Sequence, residues 1–187
     1  MPIINPELCR KDKGHFINEY VPLYTPTFGY KTHSLSPCQL KLIGMIQDGP
    51  TYTNIDYGLS YDDNLNIMIG CIVHNLILNP NSIIGFITNN HTNRKMIIGR
   101  LEESLVKFLE NDNYGYVNVR EWAESIIKEH VVGIITPSGA RGYAFREIYC
   151  IEHTTKWPFE EFLRWLLPTA EHMGSKIINL CNTTKIV

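Results

Sequence analysis

Cys38 is the residue whose position in this sequence most favours chemistry. It follows Ser36-Pro37, a typical helix start in which Ser36 caps the helix and Gln39 completes a capping box. A helix N-terminus stabilises a thiolate, so Cys38 is a candidate nucleophile of a cysteine-dependent hydrolase. The general base would be His153, with three other histidines open: His74, His91 and His130. The alternative is a small buried residue in a well-capped helix, because no signature of a paired histidine accompanies it.

Two C-x-x-H pairs, Cys71-Ile-Val-His74 and Cys150-Ile-Glu-His153, have the residue types of a Cys2His2 zinc site. Both pairs fall in segments predicted to be strands, where residues i and i+3 point to opposite faces of the sheet. Neither pair contains the glycine-bearing tight turn that a zinc knuckle needs. We therefore predict no metal site.

The turn at 138–142 offers backbone N–H groups and the Arg141 guanidinium to a phosphate, which makes Arg141 our candidate ligand-binding residue. The alternative is a plain turn between two strands. A Walker loop and a dinucleotide fingerprint are both absent, and the acidic residues form no pair suited to general acid–base catalysis. The sequence therefore names no catalytic residue outside the Cys38 hypothesis.

The composition of the 187 residues is typical of a globular chain, with 44% hydrophobic residues and a net charge of −2. The basic residues are dispersed, so we expect neither direct nucleic-acid binding nor attraction to a membrane. Five widely spaced cysteines, an odd number, indicate a reducing compartment and not a disulfide framework. The first residues lack the features of a signal peptide, so a cytoplasmic location is expected.

Residues 1–35 predict an irregular N-terminal arm, since prolines interrupt them and only Glu7–Lys13 suggests a helical turn. We expect this arm to pack on neighbouring copies, and residues 36–187 to form a single α+β domain. Tyrosine is rigid and amphipathic, which suits protein–protein contacts. The tyrosines that we place in the assembly interface are Tyr20, Tyr24, Tyr30, Tyr57 and Tyr61. The alternative is that these tyrosines pack loops onto their own core.

Hydrophobic periodicity in the rest of the chain predicts short helices alternating with strands. The predicted helices begin at Ser36, Arg100, Asn118 and Pro158, and Pro168 is expected to break the last one. The predicted strands cover 66–78, 82–88, 94–99, 131–136, 143–152 and 176–181. A polar turn separates 82–88 from 94–99, and we interpret the two as a hairpin. The predicted fold class is α+β, an antiparallel β-sandwich or sheet flanked by several short amphipathic helices.

Two stretches resemble the polyhedrins of cypoviruses, insect reoviruses whose virions lie embedded in intracellular protein crystals. In residues 82–111, a hydrophobic strand, an Asn-containing turn with a basic residue and a strand through Ile98-Gly99 lead into a Glu-bearing helix. In residues 142–166, an aromatic-rich strand begins at Gly142-Tyr143, ends at His153 and precedes an amphipathic helix.

The resemblance implies a β-sandwich flanked by helices, assembled as homotrimers that stack into a crystal lattice within inclusion bodies of the host cytoplasm. The expected function is that of a viral occlusion-body matrix protein. Such a protein is not an enzyme, and its partners are copies of itself and virus particles. A bound nucleotide is implied by the resemblance alone, and no other cofactor is expected.

The composition adds an expectation of alkaline dissolution, because tyrosines and thiols become anions as lysines lose their charge at about pH 10. Two alternative functions stay open. One is a cysteine-dependent hydrolase using Cys38, and the other is a viral protein that binds a nucleotide or a host factor.

Overall fold

A five-stranded parallel β-sheet with helices on both faces forms the centre of this computed structural model. The structure describes residues 5–32, 34–55, 58–111, 118–151 and 159–180. Its strands are β1 (Leu23–Thr25), β2 (Gly29–Lys31), β3 (Tyr52–Asn54), β4 (Ile83–Ile87), β5 (Val131–Ile134), β6 (Phe145–Cys150) and β7 (Lys176–Asn179). Its α-helices are α1 (Pro6–Lys11), α2 (Lys13–Tyr20), α3 (Pro37–Asp48), α4 (Tyr61–Leu78), α5 (His91–Asn111), α6 (Val119–His130) and α7 (Phe159–Met173). A 3₁₀ turn, Pro137–Ala140, follows β5.

The strands of the central sheet are ordered β3-β7-β6-β4-β5, and every neighbouring pair is parallel. The chain passes from β4 to β5 on one side and then returns past β4 to add β6 and β7 on the other. The point at which the direction of winding changes therefore lies between β4 and β6. A separate antiparallel pair, β1 and β2, lies outside this sheet.

The predicted antiparallel β-sandwich is wrong, because the chain forms an α/β fold around a single parallel sheet. Four of the predicted strand segments do contain strands, namely β4, β5, β6 and β7. Their relative direction was misjudged because the short connection between β5 and β6 suggested a returning strand. A polar turn between two apolar segments does not distinguish a hairpin from a crossover connection.

The strand prediction for residues 66–78 is wrong, because this segment lies in α4. Ser60 begins the helix, where its hydroxyl oxygen accepts a hydrogen bond from the Asp63 N–H at 3.1 Å. Residues 64–76 are all buried, so the helix has no polar face and no amphipathic period by which the sequence could reveal it. A continuous apolar run is typical of a buried strand as well as of a buried helix.

The second strand of the predicted 82–99 hairpin is also wrong, because α5 begins at His91, soon after β4 ends. Asn90 starts this helix, and its side-chain oxygen accepts a hydrogen bond from the Asn93 N–H at 2.8 Å. Ile97 is buried on the same helix as Leu101 and so extends its apolar face. Residues 82–111 therefore lack the hairpin on which part of the polyhedrin resemblance was based.

The expected irregular arm contains two helices and the β1–β2 hairpin. Phe16 and Ile17 of α2 are buried in the same apolar core as the central helices. Next to the hairpin, the Pro22 carbonyl accepts a hydrogen bond from the buried Ser104 hydroxyl of α5. Contacts between residues 1–35 and neighbouring copies stay a prediction, as does the division of the chain at residue 35.

The central sheet separates two apolar cores, because successive residues of a strand point to opposite faces. On one face, Phe86 and Tyr149 pack against helices α1 to α6, and on the other, Ile148 packs beneath α7.

Helix α7 continues through Pro168, so the predicted break is wrong. Pro168 is exposed, which leaves the disrupted turn next to solvent. Among the described helices, none is long and apolar enough to cross a membrane.

Candidate functional site

A buried ion pair between Lys13 and Glu147 lies at the centre of the candidate site. The Lys13 Nζ donates to Glu147 Oε1 at 2.8 Å, and the two residues are only 4% and 5% exposed. The other carboxylate oxygen, Oε2, accepts from Asn75 Nδ2 at 2.7 Å and from the Tyr149 hydroxyl. Both oxygens of this carboxylate are therefore hydrogen-bonded, as a charge removed from water requires.

Three elements bring this network together from distant parts of the sequence. Glu147 and Tyr149 are two residues apart on β6, so both point to the face of the sheet that α4 covers. Asn75 lies in the last turns of α4, and its amide also donates to the Cys71 carbonyl one turn earlier. Lys13 begins α2, where its backbone N–H donates to Gln47 Oε1 of α3 at 2.7 Å.

The network fixes the protonation of its members. Burial alone would raise the pKa of Glu147, but the Lys13 charge and the three donated hydrogen bonds lower it below its usual value. Burial raises the pKa of Tyr149 well above its usual value, and the Cys71 and Glu147 charges raise it further. Burial likewise raises the pKa of Cys71 to about 11. Near neutral pH the glutamate is an anion, while the phenol and the thiol keep their protons.

His74 lies beside this network and is 4% exposed. Its Nε2 is 2.9 Å from the Cys9 carbonyl oxygen, and the imidazole contacts the edge of the Phe16 ring. Its buried Nδ1 has no hydrogen-bond partner within the described residues. Burial, with the Lys13 charge adding to it, lowers the pKa of His74 to about 4, so the ring is neutral at pH 7.

Glu147 and His74 help to line a pocket of about 380 Å³ at the amino-terminal edge of the sheet, which we call the basic pocket. Glu147 is the one acidic residue of its described lining. The cations of the lining are Arg10, Lys13, Arg146 and Lys176. Positive charge therefore exceeds negative charge here, although the whole chain is slightly acidic.

The four cations differ in how far they are already engaged. Lys176 Nζ donates to the carbonyls of Ile46, at 3.0 Å, and of Gln47 in the last turn of α3. Burial lowers the pKa of Lys176, and the Lys13 and Arg146 charges act in the same direction. Arg10 and Arg146 are exposed, and among the described residues neither guanidinium has an ion-pair or hydrogen-bond partner. Two arginines are thus free to contact a ligand in the pocket.

The carboxyl edge of the sheet is the usual ligand-binding edge of open α/β folds. The connection from β3 to α4 leads into a helix N-terminus at this edge, and a helix N-terminus can bind a phosphate. Here Asp62 and Asp63 occupy the first turn of α4, and carboxylates at that position repel a phosphate. Residues 56–57 and 152–158, which follow β3 and β6 in the sequence, lie outside the described residues. We therefore assign no site to the carboxyl edge.

The structure places Cys38 where the sequence predicted, in the first turn of α3, with the Ser36–Gln39 capping box formed. Cys38 is half-buried, and no hydrogen bond joins it to a histidine within the described ranges. The predicted base, His153, lies outside the described residues, so the hydrolase hypothesis stays a prediction.

Cys71 and His74 lie on α4 and not on a strand, so the argument made from strand geometry against a metal site does not hold for them. Both residues are buried, and His74 Nε2 is engaged with the Cys9 carbonyl. Cys150 ends β6, while its partner His153 lies outside the described residues. The described part of the chain contains no group of three or more potential metal ligands.

The tyrosines proposed for an assembly interface lie in different environments. Tyr20, Tyr24 and Tyr30 are half-buried, and the Tyr24 and Tyr30 rings pack 5.3 Å apart across the hairpin. Tyr61 is 41% exposed at the start of α4, and Tyr57 lies outside the described residues. Three of the tyrosines thus pack partly on their own chain, and their role in assembly stays a prediction.

Arg141, the predicted ligand-binding residue, lies away from the basic pocket, in a second recess beneath α7.

The residues of the basic pocket were missed because Lys13 and Glu147 are 134 positions apart, and no local pattern connects them. One signal was available. Glu147 lies two residues before Tyr149, so both side chains are on the same face of a strand that is otherwise largely apolar. A carboxylate on such a buried face needs a buried partner.

No protein-family model matches this chain, and no curated protein matches it. The polyhedrin identification therefore stays a prediction, and the β-sandwich that it implied is corrected by the parallel sheet.

Proposed function

We propose that this protein binds a small phosphate-bearing or polycarboxylate anion in the basic pocket. The observation that carries the proposal is the pair of exposed guanidinium groups, Arg10 and Arg146, which lack partners among the described residues and line the same pocket as Lys13 and Lys176. Guanidinium groups form paired hydrogen bonds with phosphate and carboxylate oxygens, and such charge-assisted bonds are the strong ones.

Each charged residue has a distinct part in this proposal. Arg10 and Arg146 supply the direct contacts, whereas Lys13 and Lys176 are held in place by Glu147 and by the end of α3. Glu147 offsets the charge of Lys13, so the remaining cations give the pocket its positive potential.

Binding, and not catalysis, is the activity that the pocket supports. Cys71 and Tyr149 are not part of the described lining, and both keep their protons at neutral pH because burial raises their pKa values. The buried Glu147 accepts hydrogen bonds with both oxygens, so it is poorly placed to take a proton from a ligand. The described lining thus offers a ligand positive charge and hydrogen-bond donors, but no activated nucleophile.

Calorimetric titration of the full chain with inorganic phosphate, pyrophosphate and citrate tests the proposal. Affinity should increase with anion charge and fall as salt is raised. Arg10→Gln and Arg146→Gln should each weaken pyrophosphate binding about tenfold or more, because each removes a charge-assisted hydrogen bond. Arg164→Gln, a matched change of an exposed arginine on α7, should leave binding unchanged. Equal binding by all four proteins, or no binding by the wild type, would refute the proposal.

The occlusion-body function stays a prediction with its own test. Expression of the untagged chain in insect cells should give micron-sized bodies with sharp X-ray powder rings, and the rings should disappear at about pH 11 as tyrosines ionise. A soluble and monodisperse product would contradict it.

A further inference from the structure

A second pocket of about 210 Å³ lies beneath α7, between that helix, the 3₁₀ turn and the start of β6, and we call it the aromatic recess. It is separate from the basic pocket. Ile148 of β6 lines the aromatic recess, whereas the adjacent Glu147 lines the basic pocket, and adjacent strand residues point to opposite faces. The two sites therefore lie on opposite sides of the sheet.

Two large aromatic side chains line the aromatic recess and are left largely in water. Trp165 of α7 is 49% exposed, and Tyr143 is 42% exposed. The Tyr143 ring packs against Phe145, with centroids 5.4 Å apart and planes inclined by 35°. The deeper lining is apolar, and includes Ile148 and Leu166. Flat, apolar surfaces that face a recess are suited to stacking against a planar ring.

A single positive charge lies at the same place. The Arg141 guanidinium carbon is 4.3 Å from the centroid of the Trp165 ring, so the cation is stacked on the indole. A guanidinium that contacts an aromatic face through its carbon can still donate hydrogen bonds to a ligand through its N–H groups. The described lining of the aromatic recess contains no acidic residue, and Arg141 has no ion-pair partner among the described residues.

We propose that the aromatic recess binds a small planar aromatic anion, such as an aromatic carboxylate. Its ring would pack between Tyr143 and the apolar floor, and its carboxylate would accept hydrogen bonds from Arg141. The volume is below the range of about 300–1,000 Å³ that drug-sized ligands occupy, so the ligand is one ring and not a nucleotide. This proposal is independent of anion binding in the basic pocket, since no lining residue is shared.

Ligand-detected NMR titration of the full chain with three probes of similar size tests each part of the proposal. Nicotinate has a flat ring and a negative charge, nicotinamide lacks the charge, and cyclohexanecarboxylate lacks the flat ring. We expect nicotinate to bind at least threefold more tightly than either of the others. Equal affinity for nicotinate and cyclohexanecarboxylate would refute ring recognition, and equal affinity for nicotinate and nicotinamide would refute charge recognition.

Variants then locate the binding. Tyr143→Ala should weaken nicotinate about twofold to tenfold, the usual range for losing an aromatic contact, while Tyr143→Phe should retain most of the affinity. Arg141→Gln should weaken nicotinate but leave nicotinamide unchanged. Arg164→Gln, one position from Trp165, is the matched charge control and should bind like the wild type. Unchanged nicotinate affinity in both Tyr143→Ala and Arg141→Gln would overturn the proposal.

Discussion

Replacing Lys13 by Met removes the only ion-pair partner that the buried Glu147 carboxylate has among the described residues. Methionine has a similar length and no charge, so the variant loses the ion pair with little change in packing. Glu147 would then be an anion with 5% exposure and no cation at 2.8 Å. Removal of one partner of a buried ion pair typically destabilises a protein by about 3–5 kcal/mol. We expect a loss of this size at pH 7, a large part of the stability of an ordinary domain.

The dependence on pH distinguishes this mechanism from a simple loss of packing. In the wild type, the pKa of Glu147 is lower in the folded chain than in the unfolded chain. Its contribution is present above the unfolded pKa, about 4.3, and is lost as the pH falls through the folded pKa. In Lys13→Met, the ion pair that opposes burial most strongly is gone, and only the hydrogen bonds from Asn75 and Tyr149 and the more distant Lys176 charge remain, so we expect the pKa of Glu147 in the folded chain to rise above its unfolded value. The folded variant then binds a proton more readily than the unfolded chain, and its stability rises as the pH falls from 7 to about 5.

Urea unfolding at pH 7 and at pH 5, followed by circular dichroism, measures both quantities. Lys128→Met, at an exposed lysine of α6, is the matched control and should change stability by less than about 0.5 kcal/mol. The double variant Lys13→Met/Glu147→Gln should recover part of the loss at pH 7, because the neutral amide needs no counter-charge. A Lys13→Met loss below about 1 kcal/mol, or one that is the same at both pH values, would refute the reasoning.

Three further predictions concern the packing and titration of buried groups. Gly70→Ala should destabilise the protein by about 1–3 kcal/mol, because an added Cβ would lie 2.7 Å from Ile17 Cγ2. Gly99 is a helical position at which an added Cβ would meet nothing within 4 Å, so Gly99→Ala should stabilise the protein by up to about 1 kcal/mol. Denaturant titrations of the two variants measure both changes in stability. The Tm of the wild type should fall from about pH 6.5 to pH 4, since only the unfolded chain gains a proton on His74 in that window. His74→Gln should make this fall less steep, and an unchanged slope would contradict the reasoning. Tm should also fall between about pH 9 and 11, because the Cys71 thiol keeps its proton in the folded chain but loses it in the unfolded chain. Cys71→Ala should make this fall in Tm less steep.

The parts of the fold that follow from local chemistry were predictable from the sequence. The Ser36–Gln39 capping box is present as expected, with the Gln39 N–H donating to Ser36 Oγ at 3.2 Å. Asn118 likewise caps α6 by accepting from the Glu121 N–H. Both signals lie within four residues, so the sequence alone suffices to identify them. Helix α4 was not predictable in this way, because burial on every side removes the periodicity on which assignment depends.

The direction of the strands and the basic pocket depend on distant contacts. Pairing of β4 with β6 joins segments about sixty residues apart, and no feature of either strand distinguishes a parallel from an antiparallel neighbour. The Lys13–Glu147 pair likewise depends on where α2 packs. Arg141 differs from this pair, because it was chosen as a candidate ligand-binding residue from the glycine-containing turn in which it lies. Its stacking on Trp165, however, is a tertiary contact that the sequence did not reveal.

The pairing of β3 has a consequence for the order in which the chain can fold. The only sheet neighbour of β3 among the described strands is β7, which is also the last of the described strands along the chain. During synthesis β3 remains without this partner until the chain has been extended through β7. Such distant pairings slow folding and leave a strand edge exposed to other chains in the meantime. Nascent chains truncated before Lys176 should therefore aggregate, whereas chains that extend through β7 can close that edge of the sheet.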